Sequence, residues 1–396
     1  MKSGEWGMNN GERGMMSEGL RGAGDPHWVD VLPAGEFLGL PEKTVLHSGS
    51  PIEFARMCPL HRRGMINACF MEGWAKTEVE AVKLLESGEV KCEAAYDYAT
   101  VGSGTGIVTA SVPLLIVEDR LTGKRAGVFP HEGKYGGGFC GWGVYSDAIA
   151  ANLAYMRDTL FPPLVKVLKD AGGFPMRDLF AEAIRMGDEL HSCQKAIDCL
   201  FTRAIVPYAL KCPNAAELLS YFATTPRFTH NFGQAASRAT LLGVTARGTM
   251  VAAGGNGVEY GIKVAGSDKW YTAPSPMIVG PYLTPGAKKE NQLPWIGDSS
   301  VTECRGWGGR IRAVNPEFES AGRGVLPTQG SRQDEASCPR KGAAGPFCGQ
   351  DALVLPPVIN GGMIDVNGGW MGAGSTRIPA ECFTKAKEDG YDVQLA

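Results

Sequence analysis

Apolar and polar positions alternate at helical spacing most clearly between Met176 and Leu210. Leu179, Ala183, Met186, Leu190, Cys193, Ile197, Leu200 and Ala204 recur at three- and four-residue steps, which predicts one long helix with a single stripe to bury. Asp178, Arg185, Asp188 and Lys195 fall largely off that stripe. Gly187 interrupts the run at a cost of about 1 kcal/mol relative to alanine, so a close backbone or ligand approach is expected beside it. Asp188 and His191 follow one turn apart, where a carboxylate can orient an imidazole; an ordinary surface ion pair would satisfy the same spacing.

Before this run the pattern changes several times. Residues 1–26 show no sustained period and read as a mobile lead-in. His27 to Leu40 and Lys43 to His47 read as extended segments, and Ser48-Gly49-Ser50-Pro51 as a turn. A helical pattern runs from Ile52 to Trp74 and is divided by Pro59; a second helix is capped by Thr77 with Glu80 and stops at Ser87-Gly88. Ile107–Val112, Leu114–Val117 and Ala126–Phe129 are β-branched or apolar and predict strands, with Thr122-Gly123 closing a hairpin. Residues 146–242 are nearly all helical in pattern. After Thr245, strands are predicted at Thr249–Ala253, Gly261–Ala265 and Trp270–Thr272. The expected fold is α+β, with glycine-rich mixed sheets from the N- and C-terminal parts flanking a central helical subdomain. The division is an N-terminal domain over 27–145, the helical subdomain over 146–242 and a C-terminal domain over 243–396. Within the last, residues 322–348 carry no apolar stripe and predict loop.

Composition narrows the function classes. The 396 residues carry a formal net charge of -3, with 44% hydrophobic and 20% charged residues, so no basic field exists to hold nucleic acid or an anionic membrane. No apolar run approaches the ~20 residues of a membrane span, and the N-terminal residues lack the apolar core of a signal peptide, so a cytoplasmic location is expected. Eleven cysteines without a CxxC spacing predict reduced thiols, neither a disulfide frame nor a zinc ribbon. The 54 glycines are not periodic and predict tight turns and backbone-lined cavities.

Candidate chemistry gathers on glycine-linked polar clusters. His131-Glu132-Gly133-Lys134 opens a glycine run whose N–H groups can form an anion nest beside the Lys134 charge. Thr229-His230-Asn231 reads as a helix start that would set His230 and Asn231 by a bound anion. Asn256 and Glu259 follow Gly254-Gly255, Asp298 precedes Ser299, and Arg377 follows Gly372-Ala373-Gly374 as a fork for a carboxylate or phosphate. Hairpin tips, caps and solvated arginine would use the same residues. Gly102-Ser103-Gly104-Thr105-Gly106 is followed by a predicted strand, where a dinucleotide loop requires a helix. HExxH, GxSxG, Walker and two-His-plus-carboxylate patterns are absent, so neither a metal nor a cofactor is expected.

Several blocks together resemble the YlbE/AllG-like family: His47-Ser48-Gly49-Ser50-Pro51, Asp188-Glu189-Leu190-His191-Ser192, Asn256-Gly257-Val258-Glu259-Tyr260-Gly261, Gly297-Asp298-Ser299, Pro357-Val358-Ile359-Asn360 and Pro379-Ala380-Glu381-Cys382-Phe383. They fall in the family's order from about residue 28 to 388. The resemblance implies an α+β fold with a helical subdomain. It also implies a carbamoyltransferase, or a component of one, acting on a small oxamate- or oxalurate-like amide with carbamoyl phosphate. FdrA-like partner subunits and a homo-oligomer are the implied assembly. A non-catalytic assembly subunit and an amidase of a related small amide are the alternatives. Three departures stand out: Cys193 where a basic residue is expected, extra glycine over 133–143, and the apolar-poor stretch 322–348. On this reading His191, with Asp188 before it, is the preferred proton-transfer group and His131 the alternative. Glycine-loop N–H groups and one histidine would stabilise an oxyanion, with His230 also in the catalytic set. Lys134 and Arg377 would hold the anionic parts, and Asn231, Asn256, Glu259 and Asp298 would orient the substrate.

Overall fold

The structure, a computed structural model, describes residues 24–132, 138–225, 228–314 and 355–395. Most of the expected N-terminal lead-in, the whole 322–348 stretch and Lys134 lie outside those residues.

Among the described residues the strands are β1 (Pro26–Pro33), β2 (Thr44–His47), β3 (Lys91–Ala94), β4 (Pro113–Asp119), β5 (Lys124–Val128) and β6 (Phe174–Pro175). Beyond the helices follow β7 (Met250–Asn256), β8 (Glu259–Val264), β9 (Tyr271–Pro274), β10 (Ile296–Gly297), β11 (Val358–Ile364) and β12 (Trp370–Arg377). The first sheet has the order β5-β4-β1-β6 and the second β10-β7-β8-β9, with β11-β12 and the parallel β2-β3 as two-stranded partners. The class is α+β, and glycine-rich strands from both ends of the chain enclose the helices, as the pattern predicts. β4 and β5 pair antiparallel across the turn at Thr122-Gly123. Thr77 and Glu80 form the expected capping box on the Glu78–Glu86 helix, and Pro59 is the first residue of the Pro59–Met71 helix, where its missing N–H does no harm.

Two expectations fail for physical reasons. Ile107–Val112 is not a strand. Its main-chain groups are spread over three neighbours: Ile107 N donates to Cys140 O, Val108 exchanges bonds with Leu46, and Ala110 O accepts from Gly35 N. The Met176–Leu210 helix is two helices, Arg177–Arg185 and Lys195–Ala209, separated by a loop. Gly187 at φ 101° and Leu190 at φ 61° turn the chain there. Side-chain carboxylates then take the N–H groups that would have continued the helix: Asp188 Oδ2 accepts from Ile197 N at 2.8 Å, and Glu189 Oε1 from Ser192 N and, at 2.6 Å, from Cys193 N. Leu190 and Cys193 are buried in this loop, which is why they kept the apolar period.

One apolar core runs from Trp28 and Val117 of the first sheet, through Ile197, Phe201 and Phe232 of the helices, to Ile262 and Met371 of the C-terminal strands. Trp28 is its hub, with ring centroids 5.0 Å from Phe232, 6.1 Å from Phe161 and 6.3 Å from Phe201. Side chains of this size contribute about 1.5–3 kcal/mol each on burial. This packing fixes the His230–Leu241 helix against β4 and β5 and carries its first turn to the 186–194 loop. No described helix is long and apolar enough to cross a membrane.

Candidate functional site

The loop that splits the predicted helix delivers His191 into the interior. Its Nδ1 lies 2.8 Å from Glu303 Oε1, and both side chains are fully buried. Glu303 comes from the short Val301–Cys304 helix. The same Oε1 accepts from Asn360 N at 3.0 Å, while Oε2 accepts from Thr302 Oγ1 at 2.9 Å. Asn360, in β11, also places Nδ2 3.5 Å from Glu189 Oε2. Two buried carboxylates therefore share one strand residue, and one of them also holds the imidazole. Burial pushes the Glu189 carboxyl up, and His191 beside it pulls it back.

Asp188 is not the partner of His191. Its carboxylate caps the Lys195–Ala209 helix, and burial pushes it up to about 7 against the pull of helix N–H groups. The spacing argument placed both residues on one helical surface, and the loop removes that surface.

A second polar centre lies where three glycine-rich segments meet. Asp298 Oδ1 accepts from Gly49 N at 2.7 Å and Oδ2 from Gly102 N at 2.9 Å. Burial drives this carboxyl well above the usual range, although the two N–H groups pull it down. Beside it, Ser48 Oγ donates to Gly104 O at 2.8 Å and sits 3.2 Å from His61 Nε2. The ring nitrogens of His61 face Asn256 O at 3.1 Å and Thr105 O at 2.9 Å. Burial depresses His61 to about 3 and also lowers His47, so both rings are neutral and His61 can donate to one carbonyl only.

A closed circuit of contacts joins His191 of the first centre to the Gly102–Gly106 loop beside the second. Ser103 Oγ accepts from Gln234 Nε2 at 3.3 Å, and Gln234 lies one turn beyond His230 on the same helix face. His230 Nδ1 is 3.1 Å from Gln194 Nε2, which also donates to His191 O at 3.0 Å. The His191 ring lies 6.2 Å from that of Trp295, whose Nε1 donates to Gly297 O at 2.9 Å. Gly297 packs directly on Gly104, the residue after Ser103, so closely that a Cβ at Gly297 would lie 3.0 Å from Gly104 N.

Of the residues chosen from sequence, His191 and His230 are on this circuit and Asp298 adjoins it. Asn231 donates to Phe129 O at 2.8 Å and positions the helix start. Asn256 is used by a turn: Oδ1 accepts from Val258 N and Glu259 N, and Nδ2 donates to Ser50 O. Glu259 pairs with Arg56 at 2.7 Å on the outside. Arg377 Nη1 donates to Pro356 O at 2.6 Å. It lies in β12 two residues beyond Ser375, the partner of Asn360. His131 accepts the Tyr221 hydroxyl on its main-chain oxygen at 2.6 Å. Beside it, Glu132 accepts from Phe139 N and Cys140 N at 2.8 Å each and burial pushes it up to about 7, while residues 133–137, where the nest is expected, lie outside the described residues. Sequence reasoning missed Glu303, Asn360, Trp295, Gln194 and Gln234 as site residues. A glutamate between Thr302 and Cys304, two residues after Val301, was the available signal for the first.

Comparison with known proteins places these features in a lineage. The sequence profile described as oxamate carbamoyltransferase subunit AllG matches residues 90–299. The chain is 32% identical over 397 residues to the Escherichia coli (strain K12) oxamate carbamoyltransferase subunit AllG, covering 92% of this chain and 93% of that protein. It is 28% identical to the uncharacterized protein YahG of the same strain, covering 90% of this chain and 80% of that one. A crystal structure of a conserved protein of unknown function from Enterococcus faecalis V583 has the same fold, with a TM-score of 0.76 at 24% identity over 93% of this chain and 94% of that one.

Proposed function

The chain belongs to the AllG family of oxamate carbamoyltransferase subunits, and on that premise we propose that it is the component of a carbamoyltransferase complex that binds the small amide substrate and takes its proton. The observation that carries this reading is the buried His191–Glu303 pair, set on a circuit of polar and glycine residues. In the proposed reaction the amide nitrogen of an oxamate-like acceptor attacks the carbamoyl carbon of carbamoyl phosphate. The new N–C bond forms as the C–O bond to phosphate breaks, phosphate leaves with the electron pair, and the nitrogen gives up a proton. The His191 imidazole receives that proton. Glu303 at Nδ1 stabilises the imidazolium in a low-dielectric setting and fixes the ring plane. Trp295 closes one side of the ring against water. Arg377, on the strand paired with that of Asn360, is proposed to hold an anionic end of a reactant.

The test is steady-state turnover of oxamate with carbamoyl phosphate by the complex assembled with its partner subunits. His191→Ala should lower kcat/KM by about 100-fold or more, as loss of a positioned acid–base group does. Unchanged turnover would favour the second reading, a subunit that assembles the complex without doing chemistry. One observation supports that alternative: Met277, Val279, Tyr282 and Leu283 are exposed along a segment bridged to β12 at Val279 and Tyr282.

A further inference from the structure

Gln234 is fully buried in the His230–Leu241 helix, and only one end of its carboxamide is used. The nitrogen donates to Ser103 Oγ at 3.3 Å, while Oε1 has no hydrogen-bond partner among the described residues. A buried acceptor without a donor is a defect that cores rarely keep, because the desolvation is not returned. Its position bears on the answer. It stands on the circuit that also carries His191 and His230, beside the Gly102–Gly106 loop. Ser103, having accepted from Gln234, still has its own hydroxyl proton to give. An acceptor and a donor thus stand side by side. Their complement is a group that offers an N–H and a carbonyl oxygen from adjacent atoms.

We infer that Gln234 and Ser103 read an unsubstituted amide, an amino group and a carbonyl oxygen on one carbon, with the ligand N–H donating to Gln234 Oε1 and the ligand carbonyl accepting from Ser103. This rests on the functional reading above and names the part of the substrate that the circuit recognises. Oxamate and carbamoyl phosphate both carry this group, so they are titrated separately.

The experiment is calorimetric titration of the assembled complex with oxamate and, in a second series, with carbamoyl phosphate. Gln234→Leu removes the acceptor and should weaken whichever ligand occupies the site by about tenfold or more. Gln234→Glu, while protonated on the oxygen that faces Ser103, keeps both that donor and an acceptor at the same point, and at a pH below its ionisation should stay within about threefold of wild type. The leucine variant should melt no lower than wild type, because the unpartnered acceptor is gone. Unchanged affinity for both ligands in Gln234→Leu overturns the inference, and so does equal weakening in the leucine and glutamate variants, which would mark a packing role. The two readings fail separately. If His191→Ala abolishes turnover while Gln234→Leu binds both ligands normally, only the amide site falls. If His191→Ala turns over normally while Gln234→Leu loses affinity, the amide site stands and the role of His191 falls.

Discussion

Asp298 and Glu303 stand five residues apart, both fully buried, and they solve the problem of an interior carboxylate in opposite ways. Asp298 is clasped by two backbone N–H groups, from Gly49 and Gly102, that join the N-terminal segments to the C-terminal strands. Glu303 is held by one backbone N–H, from Asn360, by the Thr302 hydroxyl and by an imidazole. Backbone donors cannot release or accept a proton under ordinary conditions, so Asp298 is a staple. An imidazole can, so Glu303 is half of a pair able to move charge. The kind of donor around a buried carboxylate, more than its burial, separates a structural group from a chemical one.

The largest expected effect tests the staple. Asp298→Ala should destabilise the fold by about 3–6 kcal/mol in denaturant unfolding, since two bonds to a buried carboxyl are lost and two donors are left buried. A loss below about 1 kcal/mol would show that the glycine loops are held otherwise. Next comes the pair: Glu303→Gln should lower kcat/KM by about 100-fold while leaving most of the stability, because the amide still accepts from Asn360. Equal losses of stability in the two variants would erase the contrast between them.

A third carboxylate sharpens the comparison through pH. Burial raises Asp188 to about 7 in the folded chain from an ordinary 3.8. Between these values the folded state holds a proton that the unfolded state has released. Its contribution to stability is therefore complete below about pH 4 and lost as pH rises through about 7. Asp188→Asn should flatten the fall in melting temperature over that window by the equivalent of on the order of 1 kcal/mol. A wild-type protein that gains stability from pH 4 to 7 through this group would contradict the assignment. The smallest effect belongs to the exposed pair: Arg56→Ala should cost less than about 1 kcal/mol and leave turnover unchanged, as Arg56–Glu259 lies on the outside.

Much of the architecture was legible because it depends on local pattern. The Thr77–Glu80 capping box, the hairpin at Thr122-Gly123 and the strands around Met250 and Ile262 are each written within a few residues. The 186–194 loop was not, because Leu190 and Cys193 are buried in the loop as they would have been in a helix, and hydrophobic period reports burial before it reports conformation. Gly187 was the one local sign of the break. His191 and His230 could be chosen by residue type and setting. Glu303 and Asn360 could not be assigned to His191, since 112 residues separate the first pair and only the tertiary fold joins them. Two buried carboxylates lie against glycine-rich segments, Asp298 taking Gly102 N and Glu132 taking Phe139 N, and neither contact is written in the local pattern.

The close backbone packing around the circuit also limits how this protein can diversify. A methyl at Gly104 would lie 2.4 Å from Gly141 O, and one at Gly255 would lie 2.6 Å from Trp295 O, so the walls admit no graded change of shape. A single substitution there forces the backbone to shift before it can reshape the site. A lineage that acquires a new substrate must do so through the few polar side chains of the circuit, Ser103, Gln194 and Gln234 among them, with the frame inherited unchanged. Relatives with different activities should then share their glycines and differ at those three positions.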